Sequence, residues 1–152
     1  MNKKIKEHSL IRSFKHSLPT QLLQAREAAM SRFRPMLRRH GLTEQRWRVI
    51  RTIHEHSQID ASELARRSFL LSPSLTRILK YLEIENIVLR SGDTSDLRRS
   101  VFCLTDKGKN IITDVAPETE SLYEEIESLL GAEKIQQILT LLAEFSIKIN
   151  KE

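Results

Sequence analysis

Ser72, Ser74, Thr76, Arg77 and Lys80 share one side of a short periodic segment, with small hydroxyls first and cations farther along. Hydroxyls and a guanidinium at this spacing can hydrogen-bond the edges of bases in the major groove of duplex DNA, and an ammonium beyond them can reach phosphate. Other chemistry has little support. The five histidines, His8, His16, His40, His54 and His56, form neither an i, i+4 metal pair nor an evident triad, and there is no glycine-rich phosphate loop. Neither catalysis, nor a metal, nor a cofactor is expected. Cys103 stands alone, which excludes an internal disulfide and a multi-cysteine zinc cage and fits a reducing compartment.

The elements that must position this face can be read on either side of it. Leu75, Ile78, Leu79 and Leu82 recur at i, i+3, i+4 and i+7, giving the segment an apolar face opposite its polar one. Ser72 and Pro73 have the types of an N-cap and first helical residue. Just upstream, Asp60 and Glu63 form a capping box, with Ile59 and Leu64 placed as its hydrophobic staple, and a short helix runs to about Phe69. Downstream, IVLRS and SVFCLT are rich in β-branched and aromatic residues and are joined by the polar, turn-like GDTSDLRR. Helix, turn, helix and hairpin in that order make a winged helix-turn-helix, a mainly α fold with a small β-wing. Asp96, Arg98 and Arg99 fall at the wing tip, where a guanidinium on a narrow loop can probe the minor groove. Asp96 then orients Arg98, the alternative being a weak local surface pair.

The flanks are helical. Leu22, Ala25, Ala29, Phe33, Met36 and Leu37 form a stripe on a first helix over about 18–40, bent at Pro35 and stopped at Gly41. Thr43 caps a second helix to about His56. After Thr105, a long helix kinked or broken at Pro117 reaches about Leu130, and beyond Gly131 a last helix carries Ile135, Ile138, Leu139, Leu142, Phe145 and Ile149 on one stripe. The apolar stripes of the last two helices, over about 106–150, exceed what a small domain can cover, which points to a homodimer. The expected organisation is a flexible basic arm over 1–17 and a single domain over 18–152, with the DNA-reading lobe at about 42–105. Net charge is +5, but residues 1–105 hold 20 Lys and Arg against 10 Asp and Glu, whereas 106–152 hold 5 against 10. The basic part suits phosphate and the acidic part does not. No run approaches the roughly 18 apolar residues of a membrane span, and the N-terminus lacks a secretory apolar region, so a cytoplasmic location is expected.

The run Asp96-Leu97-Arg98, followed by Phe102, Leu104 and Thr105, resembles the D-x-R-x-x-x-[VI]-x-L-T wing signature of MarR-type regulators, and Thr105-Asp106-Lys107-Gly108 continues the likeness. Phe102 departs from the usual aliphatic residue, a change that concerns packing. Residues 21–51 are similar to the branch of that family acting on homoprotocatechuate (4-hydroxyphenylacetate) and other aromatic acids. The resemblance implies a homodimer, built by the first helix and the last two helices at about 18–40 and 106–150, that binds a palindromic operator as a repressor and leaves it when a small aromatic carboxylic acid binds.

An anomaly in the second helix suggests where such an acid would sit. At about 100° per residue, the apolar face of Trp47, Val49, Ile50 and Ile53 centres almost on Arg46, while Arg48, Arg51 and Glu55 fall opposite. An inward guanidinium must snorkel, pair with a carboxylate or face an anion-accepting cavity. With the resemblance beside it, Arg46 is expected to hold a ligand carboxylate between Trp47 and Phe69, with Arg26 as a second cation or in an interface salt bridge and Ser31 near a ring hydroxyl. The rivals are a thiol sensor at Cys103, which ordinary strand packing explains better, and a winged helix that binds only protein.

Overall fold

The computed structural model describes residues 13–92 and 100–150. The wing-tip residues Asp96, Arg98 and Arg99, and most of the expected basic arm, lie outside the described residues. A turn of 3-10 helix at Phe14–His16 precedes α1 (Leu18–Arg39), α2 (Glu44–His56), β1 (Ile59–Asp60), α3 (Ala61–Ser68), α4 (Ser72–Ile84), β2 (Val88–Gly92), β3 (Ser100–Leu104), α5 (Asp106–Leu130) and α6 (Ala132–Ile149). This is the expected mainly α winged helix-turn-helix between long terminal helices.

Local chemistry sets the boundaries. Gly41, at φ 68°, ends α1 in a left-handed step that lets the N–H groups of Gly41 and Leu42 bond the carbonyls of Arg38 and Leu37 at 3.0 and 2.9 Å. Both α1 and α5 continue through their prolines, Pro35 and Pro117, so the break considered at Pro117 does not occur. Asp60 caps α3 by accepting from the N–H groups of Ser62 and Glu63 at 2.9 and 3.1 Å. The reciprocal half of the capping box is replaced, because Glu63 is held by Arg66 and Arg67. The expected start of α4 needs correction. Leu71 occupies the cap position with no side-chain bond, so Ser72 is the first helical residue rather than the cap. The cause lies in the turn before it, where Phe69 adopts left-handed backbone at φ 51° and Leu70 N–H bonds the Ala65 carbonyl at 3.0 Å.

The sheet has three strands in the order β1-β3-β2, all antiparallel. β1 is an addition to the sequence reading. Its two residues, Ile59 and Asp60, pair with Phe102 and Val101 and are too few to show alternation. Beneath the sheet, Val49, Ile50, Ile53, Leu64, Leu75, Leu79, Leu82, Val88 and Phe102 form a continuous core with Met36 and Leu37 of α1 and Val115 of α5. The wing is anchored at its base by Thr105, whose hydroxyl donates to the Asn86 carbonyl at 2.7 Å and accepts from Gly108 N–H at 3.1 Å. A Cβ at Gly108 would sit 2.3 Å from the Ile87 carbonyl oxygen, so only glycine permits α5 to approach so closely.

In contrast, α6 buries no residue within the chain. Leu139, Leu142, Phe145 and Ile149 of its stripe are exposed, as are Leu129 and Leu130 at the end of α5.

Candidate functional site

The α4 helix divides as its periodicity requires. Leu75, Ile78, Leu79 and Leu82 are buried, while Ser72, Thr76, Arg77 and Lys80 are exposed and Ser74 is half-buried. The Thr76 hydroxyl donates to the Ser72 carbonyl at 2.9 Å, which leaves its oxygen free to accept. Arg77 and Lys80 form no ion pair among the described residues. A groove of about 540 Å³ separates this face from the wing and is lined by Thr76, Lys80, Asp60, Ser62, Arg90 and Ser100, among others. In β2, Arg90 donates through Nε to the Ser100 hydroxyl at 2.9 Å across the strand pair. The sequence alone does not single out this wing cation, because IVLRS reads there only as a strand.

On α3, Arg66 and Arg67 point their charge at Glu63. The hydrogen bonds from Arg66 and then Arg67 pull the Glu63 carboxyl down to about 2.

A second feature lies between α1 and α2. A cavity of about 460 Å³ is walled by Met30, Trp47 and Phe69 and ringed by Arg26, Arg48, Arg51, Glu44 and Thr52. An adjoining cavity of about 560 Å³ shares Arg26, Glu44 and Arg48 and adds Arg34 and Arg38. Cations thus outnumber the lining carboxylate, and an anion with an apolar body matches the first cavity. Three of its arginines differ in what already engages them. Arg26 bonds Glu27 at 2.9 Å and Glu44 at 2.5 Å. Arg48 donates to the Ser68 carbonyl at 3.0 Å. Among the described residues Arg51 has only a 3.5 Å contact with the exposed Glu55, which makes it the least committed of the three. Glu44 also pairs with Arg34, and although burial pushes its carboxyl upward, the hydrogen bonds from Arg34 and Arg26 together prevail and hold it below the ordinary range.

The structure therefore brings Arg26, Trp47 and Phe69 together, as expected, although Phe69 is 85% exposed in the single chain. It does not bring Arg46 or Ser31 to that cavity. Ser31 is exposed and donates to the Ala28 carbonyl of its own helix at 2.7 Å. Arg46 is half-buried, as its place on the apolar face requires, but its guanidinium stacks 3.6 Å from the centroid of the Tyr81 ring on α4. An aromatic face supplies the negative potential that was sought in an anion. Arg48 and Arg51 were missed because the cavity opens on the flank of α2 toward α1, outside the core-facing stripe. The i, i+4 spacing of Trp47 and Arg51 was the available signal.

The MarR family profile matches residues 42–100, from the start of the helix-turn-helix lobe to the second wing strand. The chain is 45% identical to the homoprotocatechuate degradative operon repressor of Escherichia coli over 85% of its own length and 87% of that protein. It is 40% identical to the HTH-type transcriptional regulator FarR of Neisseria gonorrhoeae, covering 86% and 89% of the two chains. Its fold matches the crystal structure of NadR in complex with 4-hydroxyphenylacetate at a TM-score of 0.81 and 37% identity, covering 93% of this chain and 99% of that one. On this evidence the chain belongs to the MarR family, whose members are transcriptional regulators and not enzymes.

Proposed function

We propose that the protein is a cytoplasmic, homodimeric repressor that binds a palindromic operator in duplex DNA and releases it when a small aromatic carboxylic acid enters the α1–α2 cavity. The observation that carries this reading is the placement of Trp47 and Met30 beside the lightly engaged Arg51. The apolar walls suit a ring and the guanidinium suits its carboxylate. Among candidate acids, hydroxylated arylacetates come first, in keeping with the relatives named for homoprotocatechuate degradation and solved with 4-hydroxyphenylacetate.

DNA binding rests on the exposed Ser72, Thr76, Arg77 and Lys80, with Ser74 beside them at the start of α4. Short hydroxyls and Arg77 read base edges while Lys80 and Arg90 neutralise phosphate. The uncovered stripe on α6 supports a second copy of the chain, since monomers rarely leave so continuous an apolar surface in water. Two-fold pairing sets two α4 helices about one DNA turn apart, roughly 34 Å, and matches a palindrome. Among the described residues no helix is long and apolar enough to cross a membrane.

A thermal-shift screen of phenylacetates, benzoates and cinnamates tests the ligand class. A true effector at 100 times its Kd adds roughly 2.7 kcal/mol of stability. A panel that moves the wild-type transition no more than acetate does removes the ligand class from the proposal.

A further inference from the structure

We propose that Arg46 and Tyr81 form a coupling element, in which Arg46 acts as a positioning residue that transmits the state of the α1–α2 cavity to the DNA-reading helix. The inference rests on the effector reading above and adds to it the route by which the cavity acts.

The helix α2 engages both sites through neighbouring side chains. Trp47 lines the cavity, and the residue before it reaches across to α4 and stacks on Tyr81 at 3.6 Å. Backbone packing joins the two helices mainly through a shared neighbour, since α4 rests mainly on α3 and β2 and α2 mainly on α3, β3 and α5, whereas the Arg46–Tyr81 stack spans them directly. Tyr81 lies between the exposed Lys80 and the fully buried Leu82. A pull on its ring is therefore applied to the helix that carries Arg77 and Lys80.

At the other end, Arg46 sits in the first turn of α2, with its N–H donating to the Thr43 hydroxyl at 3.2 Å. Glu44 of that same turn lines the cavity and is gripped by Arg26 and Arg34 from α1. An occupant that displaces Trp47 or Glu44 moves the turn on which Arg46 is mounted. Among the described residues Arg46 forms no ion pair, so the aromatic face is the partner that this motion strengthens or loses. A stack that differs between the empty and filled states supplies the differential interaction without which a ligand cannot shift an equilibrium.

The test uses the full-length protein, an operator duplex from its own promoter and 4-hydroxyphenylacetate as the probe. Three quantities are measured for wild type, Arg46→Met, Tyr81→Leu and Tyr81→Phe: probe Kd without DNA, operator Kd without probe, and the factor by which saturating probe weakens operator binding. Coupling factors of about 5 to 150 are usual for allosteric proteins. The expected result is that Arg46→Met and Tyr81→Leu keep probe Kd within about twofold of wild type while their coupling factor falls at least about fivefold. Tyr81→Phe, which retains the ring, restores it. A folded Tyr81→Leu protein with the wild-type coupling factor overturns the proposal alone, as does an Arg46→Met protein that loses probe binding, since Arg46 then touches ligand. A wild-type operator complex indifferent to the whole acid panel overturns the effector reading and this proposal with it.

Discussion

Trp47 and Arg51 stand one helical turn apart on α2 and border the same cavity, one as an apolar wall and the other as a cation that meets the exposed Glu55 at 3.5 Å. That spacing places a ring and a carboxylate of one small molecule within reach of a single helix. The neighbouring arginines have other duties, Arg26 with Glu27 and Glu44 and Arg48 with the Ser68 carbonyl. Arg51→Ala is therefore expected to remove most of the affinity for an aromatic acid, a loss on the order of 1.5–3 kcal/mol for a charged hydrogen bond. Operator affinity without ligand should stay near wild type. Isothermal titration with 4-hydroxyphenylacetate checks the first and fluorescence anisotropy the second.

The apolar stripe of α6 gives a second expectation. Phe145 and Leu142 are 38% and 40% exposed in the single chain, and in the proposed dimer they are expected to be buried against the second copy. Phe145→Asp places a charge in that contact and is expected to shift the protein to monomers in sedimentation at micromolar concentration. Operator affinity should fall at least about a hundredfold with it, because each half-site is then bound independently. A monomeric variant with wild-type operator affinity would speak against two-fold recognition.

Gly108 offers a test of the wing anchor. Its ideal Cβ would lie 2.3 Å from the Ile87 carbonyl oxygen, a backbone atom that cannot swing aside. Alanine is the better helix former by roughly 1 kcal/mol, but the enforced shift costs about 2–3 kcal/mol. The clash wins. Gly108→Ala should lower Tm by several degrees, and a Tm at or above wild type would refute the close approach.

The Glu63 carboxyl, held by Arg66 and Arg67, is drawn from its ordinary 4.5 down to about 2. A group depressed on folding contributes stability above its unfolded pKa, and the contribution disappears as pH falls from about 4.5 through about 2. Glu63→Gln should therefore be less stable than wild type at about pH 6, and the two melting curves should converge in acid. A difference that is constant across the titration would show that the carboxylate charge is not what matters. The arginines are mostly exposed, so the effect is small and sensitive to salt.

Much of the architecture was legible in the sequence because it depends on local signals. The 3.6-residue repeat of Leu75, Ile78, Leu79 and Leu82 placed α4, Asp60 marked the start of α3, and Thr105 marked the start of α5. What escaped depends on distant partners. β1 exists because Ile59 and Asp60 meet Phe102 and Val101 across the sheet, and two residues carry no periodicity of their own. Ser72 had the composition of a cap, but the left-handed Phe69 and the bond from Leu70 moved the cap position to Leu71. At the site, helical geometry turned Arg46 inward correctly. Its partner is Tyr81, thirty-five positions onward in the chain, and no local pattern could have named it. Arg51 lies opposite the apolar stripe of α2, and helical periodicity marks the core but not the groove that α1 adds beside it.

Operator binding with and without an aromatic acid is the most direct measurement. Anisotropy of a labelled duplex from the protein's own promoter should show tight binding that weakens steeply with salt, by a slope near −0.9 for each phosphate neutralised. Acid at a concentration just sufficient to saturate the wild type should weaken its operator binding about 5- to 150-fold and that of Arg51→Ala far less. Wild-type protein that holds the duplex equally tightly at every concentration of every acid in the panel, or that binds it no better than unrelated DNA, would contradict the account.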